Sequence, residues 1–283
     1  MVRAADQGPR DPFRERTAVV TGGGGGIGLA LARAFAARGA RIVLADVDAE
    51  ALVQAERALA AQGAPVLAVE TDVTRRESVA ALAGRACERF GAVHLLCNNA
   101  GIAVAGPLVG ADPGDWQAAM AINFWGVVHG IDAFLPRMLE RGEGGHVVNT
   151  ASMAGLVGMD HLGIYCATKF AVVGLSESLH RELAPRGIGV SVLCPMLVAT
   201  RISENSARLL GRASAFGAGA PAAPVALRGS TIAPEEVAAR VVRAIETQSL
   251  YVFTHPEQQE ILRRHARRQD AVFETGFRER GES

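Results

Sequence analysis

Three side chains near the middle of the chain carry the groups needed to move a proton to or from an oxygen atom. Ser152 supplies a hydroxyl, Tyr165 a phenol and Lys169 an amine. Tyr165 and Lys169 are four residues apart, so on a helix they lie on one face, with about 5–6 Å between their Cβ atoms. An ammonium beside a phenol favours the phenolate and lowers its pKa. The spacing is common by itself, so it indicates this chemistry only together with other motifs.

A free tyrosine titrates near 10, so a phenolate base acting near pH 7 needs its pKa lowered by about 3. That lowering corresponds to about 4 kcal/mol of preferential stabilisation of the phenolate. One ammonium in a water-poor cavity supplies part of it, and we expect a cationic cofactor ring to supply more. The pair therefore predicts a general acid/base only if elements around it form a cofactor site.

A glycine-rich turn near the N-terminus is the first such element. An apolar, β-branched run at 17–21 reads as a buried strand, and it ends at the consecutive glycines 22–26. Ile27 and Gly28 follow, and a helical pattern then continues to Arg38. This order places unpaired helix N–H groups where a phosphate can bind. The turn lacks the Gly-Lys-Ser/Thr ending of a nucleoside-triphosphate loop.

An acidic residue stands at the carboxyl end of the second predicted strand, 41–45. Asp46 lies 18 residues beyond Gly28, close to where dinucleotide-binding folds place an acid on the ribose hydroxyls. The alternative is a turn or helix-capping aspartate, and Asp48 could cap the next helix in the same way. Glycine turn and acid together favour the nucleotide interpretation.

Alternating strand and helix patterns continue along the chain. Further strands are predicted at 65–70, 93–97, 146–150, 189–194 and 250–253. Near-continuous apolar strands separated by helices predict an α/β fold, a doubly wound, Rossmann-like parallel sheet of about seven strands with helices on both faces. A long helix at 116–141 is expected to bend at Pro136.

The predicted organisation is a single domain. Residues 1–14 read as a flexible lead-in, 15–254 as the domain, and 255–283 as a helical tail. Residues 203–231 are rich in Ala, Gly, Ser and Pro, which is typical of a long lid or binding loop.

Composition excludes several classes of protein. The chain has 29 basic and 29 acidic residues and no long basic stripe, which argues against a nucleic-acid partner. The four cysteines show no metal-ligand spacing and fit a reduced compartment, so no metal is expected. No run of 18 uncharged apolar residues predicts a membrane span, and residues 1–12 lack the apolar core of a signal peptide. We therefore expect a cytoplasmic protein.

Several motifs occur together in one order. They are Thr21-Gly-x-x-x-Gly26-Ile-Gly28, Asn98-Asn-Ala-Gly101, Asn123, Ser152 with Tyr165-x-x-x-Lys169, and the segment from Pro195 to Thr200. On these motifs the chain resembles the short-chain dehydrogenase/reductase family, in its compact single-domain form, over about residues 15–254. The resemblance implies NAD(P)-dependent interconversion of an alcohol and a carbonyl.

The resemblance also implies roles for individual residues. Tyr165 would be the general acid/base, Lys169 would lower its pKa and bind the nicotinamide ribose, Ser152 would hold the substrate oxygen, and Asn123 would position a water. Asp72 and Val73 would contact the adenine, Asn99 and Ala100 would line its ribose, and Thr200 would meet the carboxamide. The whole expected cofactor-binding set is Gly22, Gly26, Ile27, Gly28, Asp46, Asp72, Val73, Asn99, Ala100, Gly101, Tyr165, Lys169, Pro195, Val198 and Thr200.

The choice of cofactor follows from Asp46. A carboxylate accepts hydrogen bonds from both ribose hydroxyls and repels a 2′-phosphate. No Arg or Lys lies within 22–28, and Val47 follows the acid, so NAD is favoured over NADP. One departure from the family is Met196, where Gly commonly follows the proline. Methionine adopts a left-handed backbone less readily than glycine, so the loop on the nicotinamide side is expected to differ.

Expected substrate contacts are mostly apolar. Ser152, Ala154, Met159, His161 and Met196 are the primary candidates, with Leu156, Val157, Leu162 and the 201–231 loop around them. They predict a hydrophobic alcohol or ketone of steroid, terpenoid or aryl-alkyl type, although a histidine like His161 more often belongs to a loop.

Two other functions stay open on the sequence. A non-catalytic NAD(H)-binding sensor would use the same turn and Asp46, and a methyltransferase that uses S-adenosylmethionine can pair a glycine loop with an acid. Neither needs Ser152, Tyr165 and Lys169 together. The family also forms homodimers or homotetramers through the helices around 115–141 and 162–184, and apolar faces on both predict the same here.

Overall fold

A seven-stranded, fully parallel sheet forms the centre of the computed structural model, which describes residues 11–211 and 230–278, with side chains up to residue 273. The spatial order is β3-β2-β1-β4-β5-β6-β7. The strands are β1 Thr17–Thr21, β2 Arg41–Asp46, β3 Val66–Glu70, β4 Leu95–Asn98, β5 Gly145–Thr150, β6 Ile188–Cys194 and β7 Tyr251–Phe253. The chain order reverses between β1 and β4, and such a switch point opens a ligand crevice at the carboxyl ends of the strands.

Helices cover both faces of the sheet. They are α1 Gly26–Ala36, α2 Ala49–Ala60, α3 Arg76–Phe90, α4 Pro113–Met120, α5 Gly126–Arg141, α6 Gly163–Leu183, α7 Ile202–Leu210, α8 Pro234–Thr247 and α9 Gln258–Arg278. Because both faces are covered, strands such as β1 and β6 are buried along their whole length. The predicted doubly wound α/β fold in one domain is confirmed.

Two apolar clusters hold the layers together. On one face α1 and α8 pack on the sheet through residues such as Leu31, Phe35 and Val241. On the other face α3, α5 and α6 pack on it through residues such as Leu82 and Phe134. Each fully buried side chain of this size contributes roughly 1.5–3 kcal/mol, so the layers fix the strand ends, and with them the site, firmly.

The ends of the domain lie differently from the sequence-based boundaries. Phe13, inside the expected lead-in, is fully buried and stacks on Phe35 with ring centroids 5.3 Å apart. At the other end, the first turns of α9 belong to the packed domain. Gln258 is buried and donates to the Cys194 carbonyl at 2.7 Å, and Ile261 packs against an apolar cluster beside the site.

The predicted long helix at 116–141 is interrupted earlier than expected. A π-helical segment, Ala121–Trp125, separates α4 from α5, whereas α5 continues through Pro136. Together Pro113–Arg141 is long and apolar enough to cross a membrane by those criteria alone. It packs on α3 and β4, however, as a core helix of this sheet does, so this is weak evidence for a span.

The expected lid at 203–231 begins with a helix that was not predicted. α7 occupies Ile202–Leu210 and ends at Gly211, whose φ is +65°. The next part of the expected lid, residues 212–229, lies outside the described residues.

Candidate active site

Ser152, Tyr165 and Lys169 meet at the carboxyl edge of β5 and β6. Ser152 follows β5, and its hydroxyl donates to the Pro195 carbonyl at 3.4 Å and accepts from the Ala154 N–H at 3.2 Å. Tyr165 and Lys169 project from the first turns of α6. The Lys169 Nζ lies 5.6 Å from the centroid of the Tyr165 ring. All three line one cavity of about 510 Å³.

Burial dominates the proton affinities of this pair. It raises the pKa of Tyr165 to about 12, and the Ser152 hydroxyl lowers it only in part. Burial also lowers the pKa of Lys169 to about 8. The predicted lowering of the phenol pKa by the ammonium is therefore not found in this structure, where desolvation raises that pKa. A phenolate at Tyr165 needs further positive charge beside it.

Asn123 lies on the π-helical segment, next to the lysine and away from the cavity surface. Its side-chain oxygen accepts from the Ile102 N–H at 2.8 Å, and its amide nitrogen donates to the Ile102 carbonyl at 3.0 Å and the Thr168 hydroxyl at 3.1 Å. The side chain thus fastens the segment after β4 to α6. A π-helical turn is frequent at functional sites. The predicted role in a water relay stays a prediction.

The glycine turn between β1 and α1 forms part of the cavity wall. A Cβ on Gly28 would stand 2.1 Å from the Gly22 carbonyl oxygen, so only glycine permits this close packing of turn and helix. Gly25 caps α1 with no side-chain hydrogen bond, and the first turn of α1 has no acidic residue. Its N–H groups and the positive end of the helix are therefore available to an anion.

The carboxylate of Asp46 faces this turn from the end of β2. It accepts from the Gly24 N–H at 3.0 Å and from the Asp48 N–H at 3.1 Å, and both acids line the cavity. Asp48 caps α2 by accepting from the Ala51 N–H at 3.0 Å. Asp48 is therefore the helix cap and Asp46 holds the glycine turn, while the expected contact of Asp46 with a ribose stays a prediction.

The neighbouring strand ends complete the cofactor side. Asp72 accepts from the Thr74 N–H at 2.9 Å and its hydroxyl at 2.7 Å, and Val73 follows it along the cavity wall. Asn99 fastens β4 to the glycine turn, because its amide donates to the Thr21 carbonyl at 3.0 Å. Ala100 and Gly101 also line the cavity.

The segment after β6 forms the opposite wall. Pro195, Met196, Val198 and Thr200 all line the cavity, and the Thr200 Cγ2 lies 3.2 Å from where a Cβ on Gly26 would stand. Met196 adopts no left-handed backbone, and the expected difference of this loop from that of the family stays a prediction. Among the described residues only Glu15, His161 and Gln248 are non-glycine residues with positive φ, so Met196 occupies its position without left-handed strain.

The expected substrate contacts separate into two groups. Ala154, Leu162 and Met196 line the cavity with Ser152. His161 is exposed beside Asp160 and does not reach the cavity, and Met159, Leu156 and Val157 pack in the apolar cluster behind it. The sequence did not single out Thr150, Ile102 or Ile122, and it placed the α7 residues in an expected binding loop without predicting their helix. The recurrence of Ile202, Ser206 and Leu209 at helical spacing was the available signal for α7.

The fold is of the kind that binds dinucleotides, and Ser152, Tyr165 and Lys169 lie together in a cavity at the carboxyl edge of its sheet. The family model for short chain dehydrogenases matches residues 16–209, and the chain belongs to this family. The predicted family is therefore confirmed. Membership of this family argues against the alternative that the protein is a methyltransferase.

Similar proteins support the same class. The chain is 37% identical over 247 residues to 1-deoxy-11-beta-hydroxypentalenate dehydrogenase of Streptomyces exfoliatus, covering 87% of this chain and 85% of that protein. It is 33% identical to C alpha-dehydrogenase of Sphingobium sp., covering 89% and 85%. A solved short chain dehydrogenase/reductase from Burkholderia phymatum, in complex with NAD, is 39% identical with a TM-score of 0.81 and covers 89% and 93%. These findings support a nicotinamide cofactor and a reaction at a hydroxyl group.

Proposed function

We propose that the protein is an NAD-dependent oxidoreductase that interconverts a hydrophobic secondary alcohol and its ketone. The observation that carries the proposal is that Ser152, Tyr165 and Lys169 share one cavity with the glycine turn and Asp46. A sensor that only binds NAD(H) requires the glycine turn and Asp46. It would leave Ser152, Tyr165 and Lys169 without a role. The bound nicotinamide supplies or accepts the hydride.

In the proposed mechanism, the protein's residues handle the substrate oxygen. The Ser152 hydroxyl donates a hydrogen bond to that oxygen. During oxidation the Tyr165 phenolate takes the proton of the alcohol, and during reduction the Tyr165 hydroxyl gives its proton to the carbonyl oxygen. Lys169, held by the Thr150 carbonyl at 2.9 Å, stabilises the phenolate by its positive charge. Because burial raises the phenol pKa to about 12, we expect the phenolate to form only when a positively charged oxidised cofactor also lies beside it.

NAD is proposed over NADP because the Asp46 carboxylate lines the cavity beside the glycine turn. A 2′-phosphate placed there would meet a carboxylate already held by two backbone N–H groups. Placing the phosphate next to this carboxylate brings two negative charges together, which costs several kcal/mol in a partly buried site. The relative from Burkholderia phymatum, solved with NAD, supports this proposal.

A hydrophobic substrate is proposed because apolar side chains line the cavity together with Ser152. They are Ala154, Leu162, Met196 and Leu197. An apolar wall with few polar groups favours a ligand with one reacting oxygen and an apolar body. The relatives named for hydroxypentalenate and for a C alpha position support a hydroxyl-bearing substrate.

Tyr165→Phe tests the reaction. The variant keeps the ring and loses the proton donor, so turnover of a panel of hydrophobic ketones with NADH should fall by about 10²-fold or more. NADH binding, followed by its fluorescence, should persist. Turnover at the wild-type rate would reject the mechanism. Wild-type NADH binding without turnover of any ketone or secondary alcohol, sterols and terpenols included, would favour the sensor.

We also propose a cytoplasmic homodimer or homotetramer that associates through α4, α5 and α6. Trp116 on α4, Trp125 at the end of the π-helical segment and Phe170 on α6 are large apolar residues that are 37%, 50% and 43% exposed. Covering such side chains is a common driving force for association. Sedimentation equilibrium of the wild type and of Trp125→Glu tests this interface, and a wild-type monomer would contradict it.

A further inference from the structure

Helix α7 forms one wall of the cavity, opposite the glycine turn. Arg201, Ile202, Ser203, Asn205, Arg208 and Leu209 all line the cavity together with Gly24, Gly25 and Gly26. The helix therefore brings two guanidinium groups to a cavity whose other wall is the positive end of α1. The proposed proton transfer does not use Arg201 or Arg208, so their role needs a separate explanation.

Three contacts fix the position of α7. The fully buried Ser206 hydroxyl accepts from the Ala103 N–H at 2.9 Å and donates to the Ile202 carbonyl at 2.6 Å. Leu210 packs on the apolar cluster that contains Ile102. Arg208 reaches across to Asp48, with 2.8 Å between its Nη2 and the carboxylate. These contacts hold the N-terminal end of the helix, where Arg201 stands, over the turn.

Among the residues that the structure describes, Arg201 is the cavity-lining cation without an anionic partner. The cationic side chains among the described lining residues are Lys169, Arg201 and Arg208. Lys169 donates to the Thr150 carbonyl and Arg208 pairs with Asp48, whereas Arg201 forms no ion pair within residues 11–211 and 230–278. Its Nη2 lies 3.8 Å from where a Cβ on Gly25 would stand, next to the uncapped end of α1.

From this geometry we infer that Arg201 binds the diphosphate of the dinucleotide cofactor, on the side opposite α1. The inference rests on the cofactor site of the proposed function. A helix N-terminus carries about half a positive charge, which only partly offsets a doubly charged diphosphate. A guanidinium supplies a full charge and a planar fork of donors that matches phosphate oxygens. The Arg208–Asp48 pair helps to position Arg201, because it connects the other end of α7 to Asp48.

Equilibrium binding of ADP-ribose and NADH to Arg201→Gln tests the inference. Both ligands carry the diphosphate, so the Kd of each should rise about tenfold, the magnitude of a lost charged hydrogen bond. The Kd should also depend less on salt concentration, because one ionic contact is gone. Arg201→Lys keeps the charge and should recover most of the ADP-ribose affinity.

Arg33→Gln is the matched control. It removes the same charge from an exposed position near the last turn of α1, away from the cavity lining, and should leave both Kd values unchanged. Circular dichroism and thermal unfolding establish that the variants fold. Wild-type affinity for ADP-ribose in folded Arg201→Gln would overturn the inference, and so would an equal loss in Arg33→Gln. Failure of the wild type to bind either ligand would instead overturn the proposed function.

Discussion

The ammonium of Lys169 donates a 2.9 Å hydrogen bond to the carbonyl oxygen of Thr150, the last residue of β5. This bond joins α6 to the sheet edge and holds the Nζ 5.6 Å from the centroid of the Tyr165 ring. Only 3% of the lysine is exposed. Burial opposes its charge, and the backbone carbonyl compensates for only part of the lost hydration.

Lys169 should therefore make stability depend on pH above neutrality. Burial lowers its folded pKa from 10.5 to about 8, so between these values the unfolded chain binds more protons than the folded one. The free energy of unfolding contributed by this group must then rise with pH across that window. Relative to Lys169→Met, the wild type should gain about 1–2 kcal/mol between pH 7 and 9.5 in urea unfolding.

The comparison with Lys169→Met is needed because other groups titrate in the same range. Burial raises the pKa values of Cys97 and Cys194 to about 12, and these thiols lower stability above pH 9 in both proteins. The contribution of Cys97 cancels in the difference, and Cys194→Ala in both proteins removes that of Cys194, whose thiol interacts electrostatically with Lys169. If the difference in free energy of unfolding between the wild type and Lys169→Met stays constant from pH 7 to 9.5, Lys169 is not desolvated as described.

Asp46 should determine the cofactor preference. Asp46→Asn keeps the size of the side chain and its acceptor oxygen but removes the charge that repels a 2′-phosphate. The ratio of NADP to NAD affinity, measured by fluorescence titration of the reduced cofactors, should rise about tenfold or more. Asp72→Asn is the control, since that acid also lines the cavity but binds Thr74. Equal wild-type affinity for the two cofactors would contradict this prediction.

Much of the fold and the site follows from the sequence because both depend on local patterns. Apolar strands that alternate with helices specify a covered parallel sheet, and the residues after each strand then meet at one edge. That is why Asp46, Asn99 and Ser152 line the same cavity as predicted. Their positions depend on strand ends alone.

The sequence-based predictions fail where a residue's position depends on packing against residues that are distant in the sequence. Phe13 stacks on Phe35, and the α7 residue Ser206 binds Ala103 across 103 positions, so neither placement is visible in a local pattern. His161 was expected as a substrate contact, yet it is exposed beside Asp160 and is absent from the cavity lining. The desolvation of Tyr165 likewise depends on neighbours that the sequence does not identify.

Met196→Gly introduces the residue that is common in the family and should destabilise this protein. The φ of Met196 is not positive, so glycine relieves no strain there. Its side chain is 8% exposed and packs with Met153 and Met159 in the cluster behind the substrate wall. Loss of a buried side chain of this size costs roughly 2–5 kcal/mol in urea unfolding. An unchanged or raised stability would show that the loop does require a glycine conformation.

Gly28→Ala should disrupt the cofactor site, and Gly84→Ala provides the contrast. A Cβ at Gly28 would stand 2.1 Å from the Gly22 carbonyl oxygen and 2.7 Å from the Asn99 amide, so the turn must move away from α1. At Gly84 on α3 a Cβ meets nothing within 4 Å, and alanine there should stabilise the protein by about 0.5–1 kcal/mol.

Thermal unfolding and ADP-ribose titration measure both effects. We expect Gly28→Ala to lower stability and weaken ADP-ribose binding at least tenfold, because the displaced turn no longer presents its N–H groups to the diphosphate. Retention of wild-type affinity by Gly28→Ala would mean that this turn does not hold the phosphates.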